Sequence, residues 1–213
     1  MPGYSTGGEA ESGGWGAWIT GPAPGKSQLY FFGTQFYTNM VFNNPSWDWR
    51  TFQLDRDMKI ADDKTAAALN AGDPDLGKFQ ARGGKLILYH GWSDAAIPAQ
   101  STINYYRSVE KKMGAGKMAQ FVRLYMVPGM QHCGGGSGAN SFGQASVAEG
   151  DPEHDIDAAL ERWVEQSKPP AEIIASGKSP SGGARTHPLC PYPQKAQYKG
   201  SGSPDDAASF VCK

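Results

Sequence analysis

The sequence predicts an α/β fold built on a parallel sheet, and three observations carry that expectation. Residues 85–90 (Lys85-Leu86-Ile87-Leu88-Tyr89-His90) form a short apolar run stopped by Gly91, the pattern of a strand buried on both faces. Ala99 to Met113 follows, with Ile103, Tyr106, Val109 and Met113 on one side of a helix that Gly114 stops. Phe121 to Val127 is again an apolar run, closed by Pro128-Gly129. Strand, helix, strand is the repeating unit of a parallel sheet, because parallel neighbours need a crossover connection.

The remaining elements fit around this unit. After a glycine-rich loop, Ile156, Leu160, Trp163 and Val164 mark a further helix, ended by Pro169-Pro170. Upstream, residues 1–28 are rich in Gly and Pro and read as loop packed on Trp15 and Trp18. Residues 29–42 are strongly apolar, and Leu29, Phe32, Phe36, Tyr37 and Met40 suit one helical face. Pro45 ends that segment. Asp55 to Asn70 reads as an Ala-rich helix ending near Gly72, and Asp73 to Leu76 as loop.

Composition narrows the function classes. The 213 residues are 39% hydrophobic and 19% charged, a globular rather than a disordered balance. A net charge of −1 leaves no basic footprint for nucleic acid. No apolar run approaches the roughly 20 residues that cross a bilayer, so no membrane partner is expected. Met1-Pro2-Gly3-Tyr4 has neither a basic nor an apolar leader region, so the protein is cytosolic or its start lies upstream. Of three cysteines, Cys190 and Cys212 bracket a loop-rich tail with little core of its own. A bridge between them would stabilise by about 3 kcal/mol and would imply an oxidising compartment. Three reduced thiols are the alternative. Cys133, directly after His132, is the odd one out.

Two residues stand where chemistry gathers in a parallel sheet. Asp94 follows the first strand in His90-Gly91-Trp92-Ser93-Asp94, and His132 follows the second in Pro128-Gly129-Met130-Gln131-His132. Functional groups collect at the carboxyl ends of such strands. An acid that orients an imidazole lets it shuttle the proton of a serine nucleophile. Spacing alone equally allows a helix-capping Asp and a surface His.

The wider text favours the pair. GGKLILYHGWSDAAIPAQSTINYYRSV, FVRLYMVPGMQHCGGG and HPLCPYPQKAQYKGSGSPDDAASFVC resemble, in order, consecutive blocks of the tannase/feruloyl esterase family, which includes the hydrolase of mono(2-hydroxyethyl) terephthalate. The resemblance implies the C-terminal part of an α/β-hydrolase parallel sheet with the tail of a lid domain. Residues 1–75 would be the C-terminal part of the lid, and 76–213 the C-terminal part of the catalytic domain. It implies a serine carboxylic-ester hydrolase acting on esters of aromatic hydroxy acids, feruloyl, galloyl or related, in a secreted or periplasmic setting. Asp94 matches the family's acid and His132 its base. Cys133 would pair with an upstream Cys that immediately precedes the nucleophile. No cofactor is implied in this chain, with calcium left to the part of the lid outside it. The partners implied are the aromatic ester substrate and the upstream part of the same protein. Ile97, and Trp18 from the lid tail, are the residues expected to touch substrate.

Other candidates read more plainly. Gly3-Tyr4-Ser5-Thr6-Gly7 matches G-x-S-x-G, but a nucleophile elbow needs a strand before it and a helix after it. The segment instead resembles the end of the family's lid, which would hold Ser5 away from the sheet. This chain is therefore expected to lack the nucleophile. The rival reading is a truncated, inactive module that binds aromatics or a partner. His90 reads as a packed or hydrogen-bonded core histidine, and His154 and His187 as solvent-side. Trp15, Trp18, Phe32 and Phe36 read as core by default, while the lid reading would turn one or two of them toward the aromatic acyl group. Asp55, Asp57, Asp62 and Asp63 read as solvated or capping, since their spacing does not match a calcium loop. Residues 134–143 read as a flexible loop, without the lysine of a phosphate loop.

Overall fold

A computed structural model of the chain describes residues 3–144 and 151–213. The chain divides into two compact units, Trp15–Asp73 on its own and Met1–Gly14 together with Pro74–Lys213. The segment before Trp15 therefore belongs with the C-terminal unit, whereas its text resembles lid.

In the Trp15–Asp73 unit, Gly16–Thr20 forms a π-helical turn where loop was expected. Helix α1 (Gln28–Gln35) starts at Ser27, whose side chain accepts from Tyr30 N, and it continues as a π-helical turn over Phe36–Val41. Helix α2 spans Leu54–Leu69. Asp57, fully buried in its first turn, accepts from the N-cap residue's backbone, Gln53 N, at 2.8 Å and pairs with Arg56. That is a capping role, with the charge buried rather than solvated. The expected core face of residues 29–42 is not a core face: Phe32 is 54% and Met40 51% exposed. Trp18 stacks on Phe32 with ring centroids 6.2 Å apart, so the two aromatics cover each other in part rather than being enclosed.

The C-terminal unit is built around a parallel pair. After the short helix α3 (Gly77–Ala81), strand β1 (Leu86–Gly91) pairs with β2 (Val122–Val127) in register from Leu86↔Val122 to Gly91↔Val127. Helix α4 (Ala99–Met113) and the turn α5 (Ala115–Met118) make the crossover, and α4 ends at Gly114 with φ +85. Lys111 and Lys112 lie in the last turn of α4, where the helix dipole favours cations. Val109, Met118, Phe121 and Val122 form one buried cluster between helix and sheet.

Helix α6 (Ile156–Gln166) is capped by Asp155, which accepts from Asp157 N and Ala158 N. Gly143, at φ +87, lies so close to Asp155 that a Cβ there would stand 2.6 Å from its carboxyl carbon. Val164 points outward at 54% exposure, while Ile156, Ala159 and Trp163 face inward. Beyond α6 lie two antiparallel pairs, β3 (Ile173–Lys178) with β4 (Ala184–Leu189), and, within the tail expected to be loop-rich, β5 (Ala196–Tyr198) with β6 (Phe210–Cys212). The larger cluster, with Tyr125, Val127, Met130, Phe142, Ile173 and Leu189, joins β2 to these additions. Cys190 and Cys212 are bonded, with Cα atoms 5.5 Å apart, and Cys133 is a free, exposed thiol. His187 is not solvent-side. It is half-buried against the Phe210 ring at 4.6 Å, and burial holds its pKa below the usual histidine value.

Candidate active site

The pairing of β1 and β2 does not stop where the strands end. Trp92 N donates to Val127 O at 3.0 Å and Ser93 N to Met130 O at 3.0 Å. Gly91 makes that approach possible, because a Cβ there would collide with the carbonyl oxygens of Met130 and Gln131. The loop after β1 and the loop after β2 are thus laid side by side by backbone alone. Asp94 sits on the first and His132 on the second.

The two side chains meet: His132 Nδ1 is 3.0 Å from Asp94 Oδ2. Asp94 is 6% exposed, and three further donors complete its carboxylate. Oδ1 accepts from Ala96 N at 2.7 Å and Ile97 N at 3.0 Å, while Oδ2 also lies 3.2 Å from His90 Nε2. Burial alone would raise the carboxyl's pKa. The hydrogen bonds from His90, Ile97 N, His132 and Ala96 N outweigh it and lower the value from the ordinary 3.8 to about 2. A carboxylate that is acceptor-only has about four lone-pair sites, and here four donors meet them. That assignment puts the proton of His132 on Nδ1 and leaves Nε2 as the basic nitrogen.

His90 does more than fill core. Its Nδ1 lies 2.7 Å from Thr102 Oγ1 and its Nε2 also 3.1 Å from Ile97 O. With the Thr102 hydroxyl donating to Nδ1, Nε2 carries the hydrogen that faces Asp94. His90 and Thr102 thus join α4 to the acid. The strand-end position of His90, four residues before Asp94, was the signal available in the sequence; the Thr102 contact had none.

A family model described as tannase and feruloyl esterase matches residues 2–213. The chain belongs to the tannase and feruloyl esterase family. It is 38% identical to an uncharacterized esterase of Xanthomonas campestris pv. campestris, over 95% of this chain and 40% of that protein. To the mono(2-hydroxyethyl) terephthalate hydrolase of Piscinibacter sakaiensis it is 44% identical, over 67% of this chain and 22% of that protein. Among solved structures, feruloyl esterase B from Aspergillus oryzae superposes with a TM-score of 0.75 at 30% identity, over 84% of this chain and 36% of that one. The chain thus spans well under half the length of the relatives it matches, and shares its mixed α/β fold with esterases of this family.

The other candidates of this tannase-family chain divide. Ile97 is tied to Asp94 through its backbone, and its side chain is 49% exposed. Trp18 lies in the separate Trp15–Asp73 unit and is half-buried. Ser5 lies on a stretch without regular structure, Gly3 to Ser5, so it is not on a strand-to-helix elbow. The segment around Ser5 nevertheless packs on the site, against the expectation that it lies away from it: Tyr4 Oη donates to Ala96 O at 3.2 Å. Residues 134–143 are not an untethered loop either. Gly138 N donates to Gly129 O, Asn140 Nδ2 donates to Gly135 O and Gly138 O, and Ser141 bridges to Ser176. His154 is exposed beside Asp151. Among the described residues, no group of three or more His, Cys, Asp or Glu side chains could hold a metal ion, and no helix is long and apolar enough to cross a membrane.

Proposed function

We propose that this chain supplies the base and the orienting acid of a serine carboxylic-ester hydrolase acting on esters of aromatic hydroxy acids. The observation that carries the reading is the His132–Asp94 contact, 3.0 Å long, on a carboxylate held ionised by four donors. An ionised Asp94 keeps the His132 proton on Nδ1 and stabilises the imidazolium that forms when Nε2 takes the proton of an attacking serine. The same nitrogen then returns that proton to the leaving alkoxide, and water repeats the cycle on the acyl-enzyme.

In this reading the nucleophile comes from a part of the protein outside this chain. The irregular backbone at Ser5 supports that, and so does β1, which among the described residues pairs only with β2 although Leu86 to Tyr89 are apolar and only half-buried. The parallel sheet would continue on its other edge. Cys133 would be bonded to a cysteine beside that serine. Residues 15–73 would be the tail of the lid, and their open apolar surface lined by Tyr30, Tyr37, Trp47, Trp49 and Phe52 would suit an aromatic group. Ile97 and Trp18 are the proposed substrate contacts, and calcium, if the enzyme uses it, belongs to the rest of the lid. The Cys190–Cys212 bond fits a secreted or periplasmic protein.

The test is hydrolysis of p-nitrophenyl acetate, methyl ferulate and methyl gallate by the full-length protein, its His132→Ala and Ser5→Ala variants, and the 213-residue chain alone. Turnover by the full-length protein that His132→Ala abolishes and Ser5→Ala spares is the expected result. Turnover by the isolated chain that Ser5→Ala abolishes would overturn the assignment of the nucleophile.

A further inference from the structure

Residues 3–14 hold no helix or strand, yet they touch both loops of the site. Tyr4 reaches Ala96 beyond Asp94, and Gly8 lies against Ser93, where a Cβ on Gly8 would stand 2.8 Å from the serine Cβ. Glu11 and its neighbours reach the other loop. Gln131, which precedes His132, is 7% exposed, and its amide nitrogen donates to Glu11 Oε2 and to Ser12 O, each at 3.1 Å. Ser137 Oγ donates to Glu11 Oε1 at 2.6 Å. Gln131 N donates to Gly135 O, closing the loop from within.

The two oxygens of one carboxylate therefore hold Gln131 and Ser137, on either side of His132. Bonds to an ionised acceptor are about twice as strong as neutral ones. The loop they hold turns on left-handed backbone, with Gly135 and Gly136 at positive φ and Cys133 at +63. A Cβ at Gly136 would collide with the Gly129 carbonyl oxygen and would also stand 3.1 Å from Glu11 Oε2.

We infer that Glu11 is a positioning residue for the reaction: it holds the His132 loop from outside the sheet so that Nδ1 stays on Asp94. The inference rests on the esterase reading above. The strap to which Glu11 belongs touches the acid's loop at Ser93 and Ala96 and the base's loop at Gln131 and Ser137, so it braces from outside a spacing that the backbone of the two loops already sets. A misplacement of about 1 Å at a reacting group can cost on the order of 100-fold in rate.

The test uses the full-length protein with Glu11→Ala, Glu11→Gln and Ser137→Ala. Three quantities are read: kcat and KM on methyl ferulate, the low-field proton resonance of His132 Nδ1–H, and the thermal midpoint. Glu11→Ala is expected to lower kcat roughly 10- to 100-fold, leave KM within about twofold, and shift or broaden the resonance. Glu11→Gln keeps one accepting oxygen and should fall between it and the wild type. The Glu11→Ala and Ser137→Ala losses should be non-additive, because they break the same bond. An unchanged kcat and an unchanged resonance would overturn the inference, even with a lowered midpoint, since that pattern marks a structural contact only. If Glu11→Ala does not fold, Glu11→Gln and Ser137→Ala decide by the same two readouts. A wild-type protein that hydrolyses no ester, yet shows the shifted resonance in Glu11→Ala, would sink the esterase reading and keep the positioning role.

Discussion

Asp94 concentrates the electrostatics of the site in one side chain. Its carboxyl is buried, which costs, and is hydrogen-bonded four times, which more than offsets the cost. A folded pKa of about 2 against an ordinary 3.8 means that the native state binds the proton more weakly than the unfolded chain. Its contribution to stability is therefore complete above the unfolded value and is lost as pH falls toward 2. By linkage the shift is worth about 2 kcal/mol. Denaturant titrations should show the advantage of wild type over Asp94→Asn shrinking by about that amount between pH 6 and pH 2; an advantage constant with pH would mean that the carboxylate is not held ionised. On the proposed esterase reading, Asp94→Asn in the full-length protein should lower kcat by about 10³- to 10⁴-fold, because an amide that donates toward Nδ1 selects the wrong tautomer of His132.

At the scale of elements, the site is produced by the way two parallel strands continue into their loops. The ladder of β1 and β2 runs on through Trp92 and Ser93, and Gly91 is the residue that lets Met130 come so near. The obstruction is backbone carbonyl, which cannot swing aside as a side chain would. Gly91→Ala should therefore destabilise the unit by about 2 kcal/mol or more, in the range of overpacked cores, read as a shift of the denaturant midpoint at unchanged slope. It should also lower esterase activity in the full-length protein by more than the stability loss explains, because it parts the loops of Asp94 and His132. Wild-type stability in Gly91→Ala would show that the loops have room to move.

For the molecule as a whole, the tail joins short strands to the site through one covalent bond. Strands β5 and β6 are three residues each, and the bond between Cys190 and Cys212 ties the end of β6 to the segment that follows β4. That segment runs beside the site's own strand: Tyr192 N donates to Leu124 O, and Pro191 bridges Tyr125. A bond closing a loop with a sequence separation of 22 should contribute about 3 kcal/mol by restricting the unfolded chain. Cys190→Ser with Cys212→Ser should lose about that much in equilibrium unfolding. In the 213-residue chain alone, where Cys133 is a free thiol, reduction with dithiothreitol should reproduce the loss in the wild type and add nothing to the double variant. A double variant as stable as the wild type would mean that the β4–β6 packing suffices alone.

The sequence by itself determined the elements whose patterns are local. An apolar run between glycines makes β1, a 3.6-residue period makes α4 and α6, and two cysteines around a weak tail make the bridge. Strand-end position made Asp94 and His132 candidates without deciding between a pair and a capping Asp with a surface His, and the resemblance to the tannase and feruloyl esterase family favoured the pair. Local pattern failed where burial is set by distant neighbours. Phe32 and Met40 sit at helical spacing but lie exposed, and His187 is covered by Phe210 from a strand of three residues. β3 and β4 carry only a weak local signal, because the apolar Ile173-Ile174-Ala175 gives way at once to Ser176, Gly177 and Lys178, and Pro188 argues against a strand. Only the tertiary structure decided that residues 3–14 touch both loops of the site, that His90 lies against Asp94 and that Glu11 accepts from Gln131 and Ser137. Those contacts join positions up to 126 residues apart. A hydrogen bond depends on where two groups finish in space, and no periodicity along the chain encodes that distance.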